Sequence, residues 1–377
     1  MKLKLLIQLS GLLLGTFFLA SCEREHHHFC DGSDTISTTT KVFATGFNNP
    51  RGLEFGPDGN LYVAEGGVGG TNLSTGCAQV VAPVGPYTGS VTGSRISKVD
   101  QSGTRSTWVH NLPSSINAFG DISGIADVAF VGNTLYALLT GAGCSRGVPT
   151  VPNSLLKINA DRTWTSVANL SAYVQTHPVA SPEEEDFEPD GDFYSMVNVG
   201  STFYIVEANH GELDKVTANG SISRIIDVSA HYGHIVPTSV AYRDGNFYVG
   251  NLNTFPAVPG SSSVYKVTPS GAISVFATGF NMILGVMFDK HGGLYVLEMT
   301  VGSPFPSPGT GQIVRVDPSG SRQVITSGLT FPTGMTFGPD GKIYVSNVGF
   351  GPASIGGGEI LQISFKCDEM EGDKHPQ

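Results

Sequence analysis

The 377-residue chain has few charges: Asp, Glu, Lys and Arg make up only 14% of it. It also lacks the local patterns by which metal and redox catalysis are recognised. G-x-S-x-G occurs only at 143–147, in a Gly/Pro-rich stretch without the strand-then-helix pattern of a nucleophile elbow, and there is no H-E-x-x-H helix and no C-x-x-C pair, so nothing local indicates a serine hydrolase, a zincin, a zinc ribbon or a thioredoxin-like centre. The Gly-rich stretch 66–70 is not followed by Lys-Ser/Thr, which removes a phosphate-cradling loop. Beyond the first residues, no segment is apolar for long enough to cross a bilayer. Any chemistry must therefore come from side chains that converge from distant parts of the chain.

What the chain has in abundance is turn residues, with 49 glycines and 22 prolines, which suits many short strands. The phrase FGPDGNLYV at 55–63 returns as FGPDGKIYV at 337–345. Between them lie further copies, so that six hairpin units can be read at 53–65, 128–139, 196–207, 240–251, 286–298 and 335–347. Each has an alternating strand, a Gly/Asp/Asn turn and a second strand carrying a tyrosine: Tyr62, Tyr136, Tyr204, Tyr248, Tyr295 and Tyr344. A second hairpin follows, as in SSVYKVTPSGAISVFATGF. The pattern predicts an all-β, six-bladed β-propeller with four-stranded antiparallel blades. A sandwich array or a parallel solenoid accounts for it less well. The sixth repeat stops after its third strand at 357–365, while TTTKVFATGF (38–47) matches the fourth strand SVFATGF (274–280). The N-terminal strand is thus expected to close the last blade and hide two sheet edges.

The opening MKLKLLIQLSGLLLGTFFLASC has the layout of a secretory signal, and its L-A-S-C ending resembles a bacterial lipobox with Cys22 as the lipidated residue. The alternative is an ordinary signal with a coincidental cysteine. The expected organisation is a signal peptide at 1–21, a lipidated flexible tether at 22–37, the propeller at 38–366 and a tail at 367–377. His26, His27 and His28 lie in that tether, as spacer or as a weak metal trap. An exported protein, anchored in the bacterial envelope through Cys22 and monomeric, is the resulting expectation. Removal of Lys2 and Lys4 with the signal takes the formal charge from −11 to −13. That acidity argues against nucleic acid or anionic lipid as partner. The four remaining cysteines suggest pairs Cys77–Cys144, from equivalent loops, and Cys30–Cys367, at the chain ends; the alternative is free thiols.

The residues three after each repeat tyrosine are Glu65, Leu139, Glu207, Asn251, Glu298 and Asn347. Five carry oxygen, and near the channel they would surround Ca²⁺ or another divalent cation. Alternatively they satisfy loop amides. Arg51, Asp127, Asn209 and His210 belong to the same rim, His210 being either a proton acceptor or a loop cap. Two long insertions, 66–93 with Cys77 and 140–152 with Cys144, are where function is expected to collect. The acidic run at 181–192 lacks the spacing of a Ca²⁺ loop and reads as a solvated loop.

The segments KVFATGFNNPRGLEFGPDGNLYVAEGGVGG, CAQVVAPVGPYTGSVTGSRISKV and EPDGDFYSMV followed by FYIVEANHGELDKV resemble the ScyD/ScyE family of exported proteins associated with pigment biosynthesis. The resemblance covers most of 40–366. It implies an NHL-like or SMP-30-like six-bladed propeller in the envelope and no established reaction. More distantly, Glu65, Asn209, Asn251 and Glu298 look like the metal set of SMP-30/gluconolactonase propellers, in which a divalent cation polarises a lactone carbonyl. Two functions follow as expectations. The first is binding of a small molecule, glycan or protein partner on the loop-rich face, which includes a role as accessory to another enzyme. The second is metal-dependent hydrolysis of a lactone or ester, with His210 as candidate base.

Overall fold

The computed structural model describes residues 35–182, 186–302, 306–351 and 357–368. Cys22, His26, His27, His28 and Cys30 lie outside them. The chain forms six sheets of four antiparallel strands, the first extended by the short strand Ile122–Ser123. Only two short helices are present among the described residues, Leu170–Thr176 and Ser229–Tyr232. This is the expected six-bladed β-propeller. The strand Thr35–Phe47 pairs with Gly358–Asp368 and completes the sixth blade, so the ring closes through its N-terminal strand, which starts three residues earlier than the sequence pattern marks.

The innermost strands, Pro50–Phe55, Ile125–Val131, Phe193–Val199, Pro237–Arg243, Ile283–Phe288 and Gly334–Phe337, surround the channel. The repeat tyrosines sit one strand out, where they hold neighbouring blades together. Tyr62 meets Phe130 edge-on at 5.0 Å, Tyr248 meets Phe288 at 4.6 Å, Tyr295 meets Phe337 at 5.3 Å and Tyr344 meets Phe55 at 4.9 Å. Each pair joins one blade to the innermost strand of the next and contributes about 0.5–1.5 kcal/mol beyond burial. The tyrosine hydroxyl also clamps the turn before it: Tyr62 donates to Asp58 and Tyr344 to Asp340, both at 3.1 Å. Directly opposite, the third strand presents Lys98, Lys157, Lys215, Lys266, Arg315 and Gln362 in turn.

Candidate functional site at the channel mouth

Five innermost strands carry a β-bulge at an equivalent place, between Pro50 and Leu53, Ile125 and Asp127, Phe193 and Ser195, Pro237 and Ser239, and Ile283 and Gly285. A bulge re-aims the extra side chain and interrupts pairing. Tyr194 and Leu284 occupy such positions and line a channel cavity of about 200 Å³. Immediately before the strands, Asn49, Val236 and Met282 have φ of 53°, 54° and 41°, and Phe331 has 44°. For Val, Met and Phe this left-handed backbone costs about 1–3 kcal/mol each. The strain is held by closing hydrogen bonds from the loops after the second strands: Gly66 N–H donates to Asn49 O, Leu252 to Val236 O, Met299 to Met282 O and Gly349 to Phe331 O.

Two acids line the cavity. Asp127 accepts the Val128 and Met196 amides, both at 2.9 Å, and Glu54 accepts the Phe130 amide at 2.9 Å. Burial pushes Asp127 up to about 7, and burial together with the Asp127 charge does the same for Glu54. Gly52 makes room for Asp127, since a Cβ there would lie 1.9 Å from the carboxylate. The Tyr194 hydroxyl is buried beside them, and burial raises its pKa. Asp127 therefore lines the channel cavity together with Glu54 and Tyr194, two residues that went unremarked in the sequence.

The two insertions form one wall. Cys77 and Cys144 are disulfide-bonded, with Cα atoms 6.2 Å apart, as expected; the Cys30–Cys367 pairing lies outside the described residues. Behind the disulfide, Arg146 is fully buried, pairs with Glu188 and with Asp192 (3.1 Å), and lies 4.7 Å over the Tyr87 ring. Tyr87 donates to Glu188 at 2.8 Å. Asp190 accepts Ser145 N–H and Oγ at 2.8 and 2.6 Å and Gln175 Nε2 at 3.2 Å. The reading of 181–192 as a solvated loop is corrected here. Its latter half turns inward because Arg146 pairs with Glu188 while Ser145 and Gln175 donate to Asp190, so both acids are buried, at 6% and 5% exposure. Burial still pushes Glu188 up to about 8. An arginine alone in a Gly/Ser-rich insertion was the available signal, and its partner acids lie some forty residues on.

The expected ring of Glu and Asn behaves as a set of loop latches. Glu65 accepts the Asn48 amide at 2.6 Å, Arg95 Nε at 2.8 Å and the Ser97 hydroxyl. Glu207 accepts the amides of Asp192, His210 and Gly211. Glu298 accepts the Asn281 amide and side chain and Gln312 Nε2. Asn251 accepts Ser263 N–H and donates to Ile235 O, while Asn347 accepts Thr330 N–H and donates to Glu359. Asn209 accepts the Glu188 amide at 2.8 Å. A divalent cation in the set Glu65, Asn209, Asn251 and Glu298 would have to displace these donors, and the residues serve four different blades. As arranged, the set does not fit a metal. Among the described residues, no group of three or more His, Cys, Asp and Glu is placed to hold one.

His210 donates Nε2–H to Glu188 O at 3.0 Å and stacks on Phe187 at 4.8 Å. Burial lowers its pKa, and its place is that of a loop cap. Arg51 donates to Ile122 O at 2.6 Å and ties blade one to the connection entering blade two. Next to the latch of blade three, Glu212 and Asp214 project from the same face of the strand Glu212–Thr217, both fully buried. Neither Asp214 oxygen nor Glu212 Oε1 has a hydrogen-bond partner among the described residues. Two buried carboxyls on one strand face disfavour double ionisation, so the pair keeps one proton. Burial and the neighbouring Glu207 raise Glu212 to about 7 despite its bond from Arg224, and burial followed by the Glu212 and Glu207 charges raises Asp214 well above the usual carboxyl range.

Residues 195–348 match the model of the SMP-30/gluconolactonase/LRE-like region. No curated protein sequence matches the chain. Among solved structures, a Bacteroides thetaiotaomicron protein of unknown function is similar, at 12% identity and a TM-score of 0.55, over 88% of this chain and 77% of that one. A Xanthomonas campestris gluconolactonase is similar at 10% identity and a TM-score of 0.54, over 87% and 90% of the two chains. At these identities the likeness establishes architecture: the chain is a six-bladed β-propeller, of which residues 195–348 are similar to the SMP-30/gluconolactonase/LRE-like region.

Proposed function

We propose that this protein is an exported, lipid-anchored propeller that binds its ligand on the face walled by the two insertions. The observation that carries the reading is the commitment of the Glu/Asn ring to loop donors while the neighbouring wall is cross-linked and internally ion-paired. A rigid wall loses little freedom on binding. Of the segments that resemble the ScyD/ScyE family, 41–70, 77–99, 188–197 and 203–216, the stretches 77–93, 188–192 and Glu207–Gly211 belong to this wall or bond to it. Val68, Leu73, Val81, Phe119, Phe255 and Val258, on connections of the same face, are each at least 50% exposed. Such side chains suit an aromatic small molecule or the apolar patch of a partner protein. A thermal-melt screen of the full chain against aromatic compounds, oligosaccharides and divalent cations tests this. A ligand at a hundred times its Kd stabilises by about 2.7 kcal/mol, and Phe119→Ser with Phe255→Ser should abolish the shift. A shift with cations alone would defeat the proposal.

The match over 195–348 favours a second reading, metal-assisted lactone hydrolysis. That region contains Asn209, Asn251 and Glu298 but not Glu65. The reading requires a divalent-specific melt shift that Glu298→Gln removes, together with lactone turnover.

A further inference from the structure

The channel mouth and its wall lie at one end of the barrel, and the chain enters at the other. Thr45 pairs with Glu359 at the mouth, beside Asn347, whereas Thr35 pairs with Asp368 at the far end, beyond Ile343 and Ile363. The far end is also where the hairpin turns within each blade lie, for example 56–60, 100–104 and 289–293. A tether from Cys22 to Thr35 therefore leaves from the face opposite the wall, and thirteen residues reach about 45 Å at most.

Charge divides along the same axis. Every described lysine lies at the tether end. Four of them recur at the repeat position opposite the tyrosine, Lys98, Lys157, Lys215 and Lys266, with Arg315 in the fifth blade. Lys157 is exposed, as are Lys41, Lys290 and Lys366. Some of the charge is spent locally, since Lys98 pairs with Asp58 and Lys342 with Asp340. The mouth end has no described lysine. Its arginines are bound internally, Arg51 to Ile122 O, Arg95 to Glu65, Arg146 to Glu188 and Arg224 to Glu212.

We propose that the tether-end face docks on an anionic phospholipid surface, with the walled site turned away from the membrane. The inference rests on the lipid-anchor reading of Cys22. The acidity of the whole chain is no obstacle, because at physiological ionic strength a bilayer senses charges within about 8 Å. It meets the tether-end face, where eight described lysines and five arginines outnumber the eight aspartates of the same turns and strand ends, Asp58, Asp100, Asp161, Asp244, Asp289, Asp317, Asp340 and Asp368, while the acids of the mouth lie a barrel's height away. The net charge of −13 for the anchored chain thus conceals a division that the expectation against anionic lipid did not resolve.

The test uses the full-length chain purified from its membranes and returned to phosphatidylcholine vesicles with or without phosphatidylglycerol. A water-soluble acylating reagent reports on lysines, and hydroxyl-radical oxidation reports on Phe119 and Phe255. Phosphatidylglycerol should lower acylation of Lys157, Lys41 and Lys366 by roughly threefold or more, leaving Phe119 and Phe255 as reactive as in detergent. Lys157→Glu with Lys266→Glu, both outside the candidate site, should float with the vesicles yet lose that protection. A chain that floats but shows equal acylation, or protection of Phe119 and Phe255 instead, overturns the orientation alone. A chain with unmodified Cys22 that does not float overturns the anchor and the orientation together.

Discussion

Replacing Arg146 by methionine keeps most of the side-chain volume and deletes the charge. In the native chain this fully buried guanidinium serves Glu188 and Asp192, and its Nε and Nη1 have no hydrogen-bond partner among the described residues. Removing one partner of a buried ion pair costs about 3–5 kcal/mol, because the other charge stays buried alone. Two features set the loss at the lower end. Asp192 is 30% exposed and keeps contact with water. Glu188 is already pushed up to about 8 by burial, so it takes a proton instead of remaining a bare carboxylate. The expected cost of Arg146→Met is therefore about 3 kcal/mol. Adding Glu188→Gln removes the orphaned acid and should return about half of that or more. Urea unfolding near neutral pH with the disulfide intact measures both variants, and limited proteolysis within 140–152 shows whether the wall opens first. A double variant no more stable than the single one would refute the reasoning. So would a single variant within about 0.5 kcal/mol of the parent.

The raised acids make stability depend on pH with a definite sign. Glu54, Asp127 and Glu212 near 7, and Glu188 and Glu207 near 8, bind protons in the native state that the unfolded chain has released. Their contribution is complete below the unfolded carboxyl values near 4 and is lost as pH rises through about 7 to 8. Melting temperature should fall across that window, and Asp214→Asn should flatten the decline; a profile flat or rising in the parent contradicts the shared-proton pair. Gly52→Ala places a methyl against Asp127 and should cost about 1–3 kcal/mol, read by thermal melting; a parent-like melt would show that the two strands separate freely. Glu298→Gln, tested by melting without added metal, should still destabilise by about 1–3 kcal/mol through weakened bonds to Asn281 and Gln312. A loss that appears only with a divalent cation present would return Glu298 to metal binding.

The blade count, the closing strand and the Cys77–Cys144 bridge were legible because they follow from local periodicity and from the spacing of equivalent loops. Tyr62 and its five counterparts announce the repeat in sequence, and their packing against Phe130, Phe288, Phe337 and Phe55 explains why the position is kept aromatic. The role of the residue three positions later was not legible. Glu65 and Glu298 look alike as metal ligands and as loop latches until the amides of Asn48 and Asn281 are seen against them. Nor does sequence connect Arg146 with Glu188 or Glu54 with Asp127, since each pair joins elements distant along the chain. Periodicity alone thus determined the number, order and closure of the blades, which depend on repeated short-range pairing. Which carboxylates are neutralised, which loops wall the mouth and which face carries the lysines depended on closing the ring. Burial, and with it the energy of a charge, is set by neighbours that only the tertiary fold brings together.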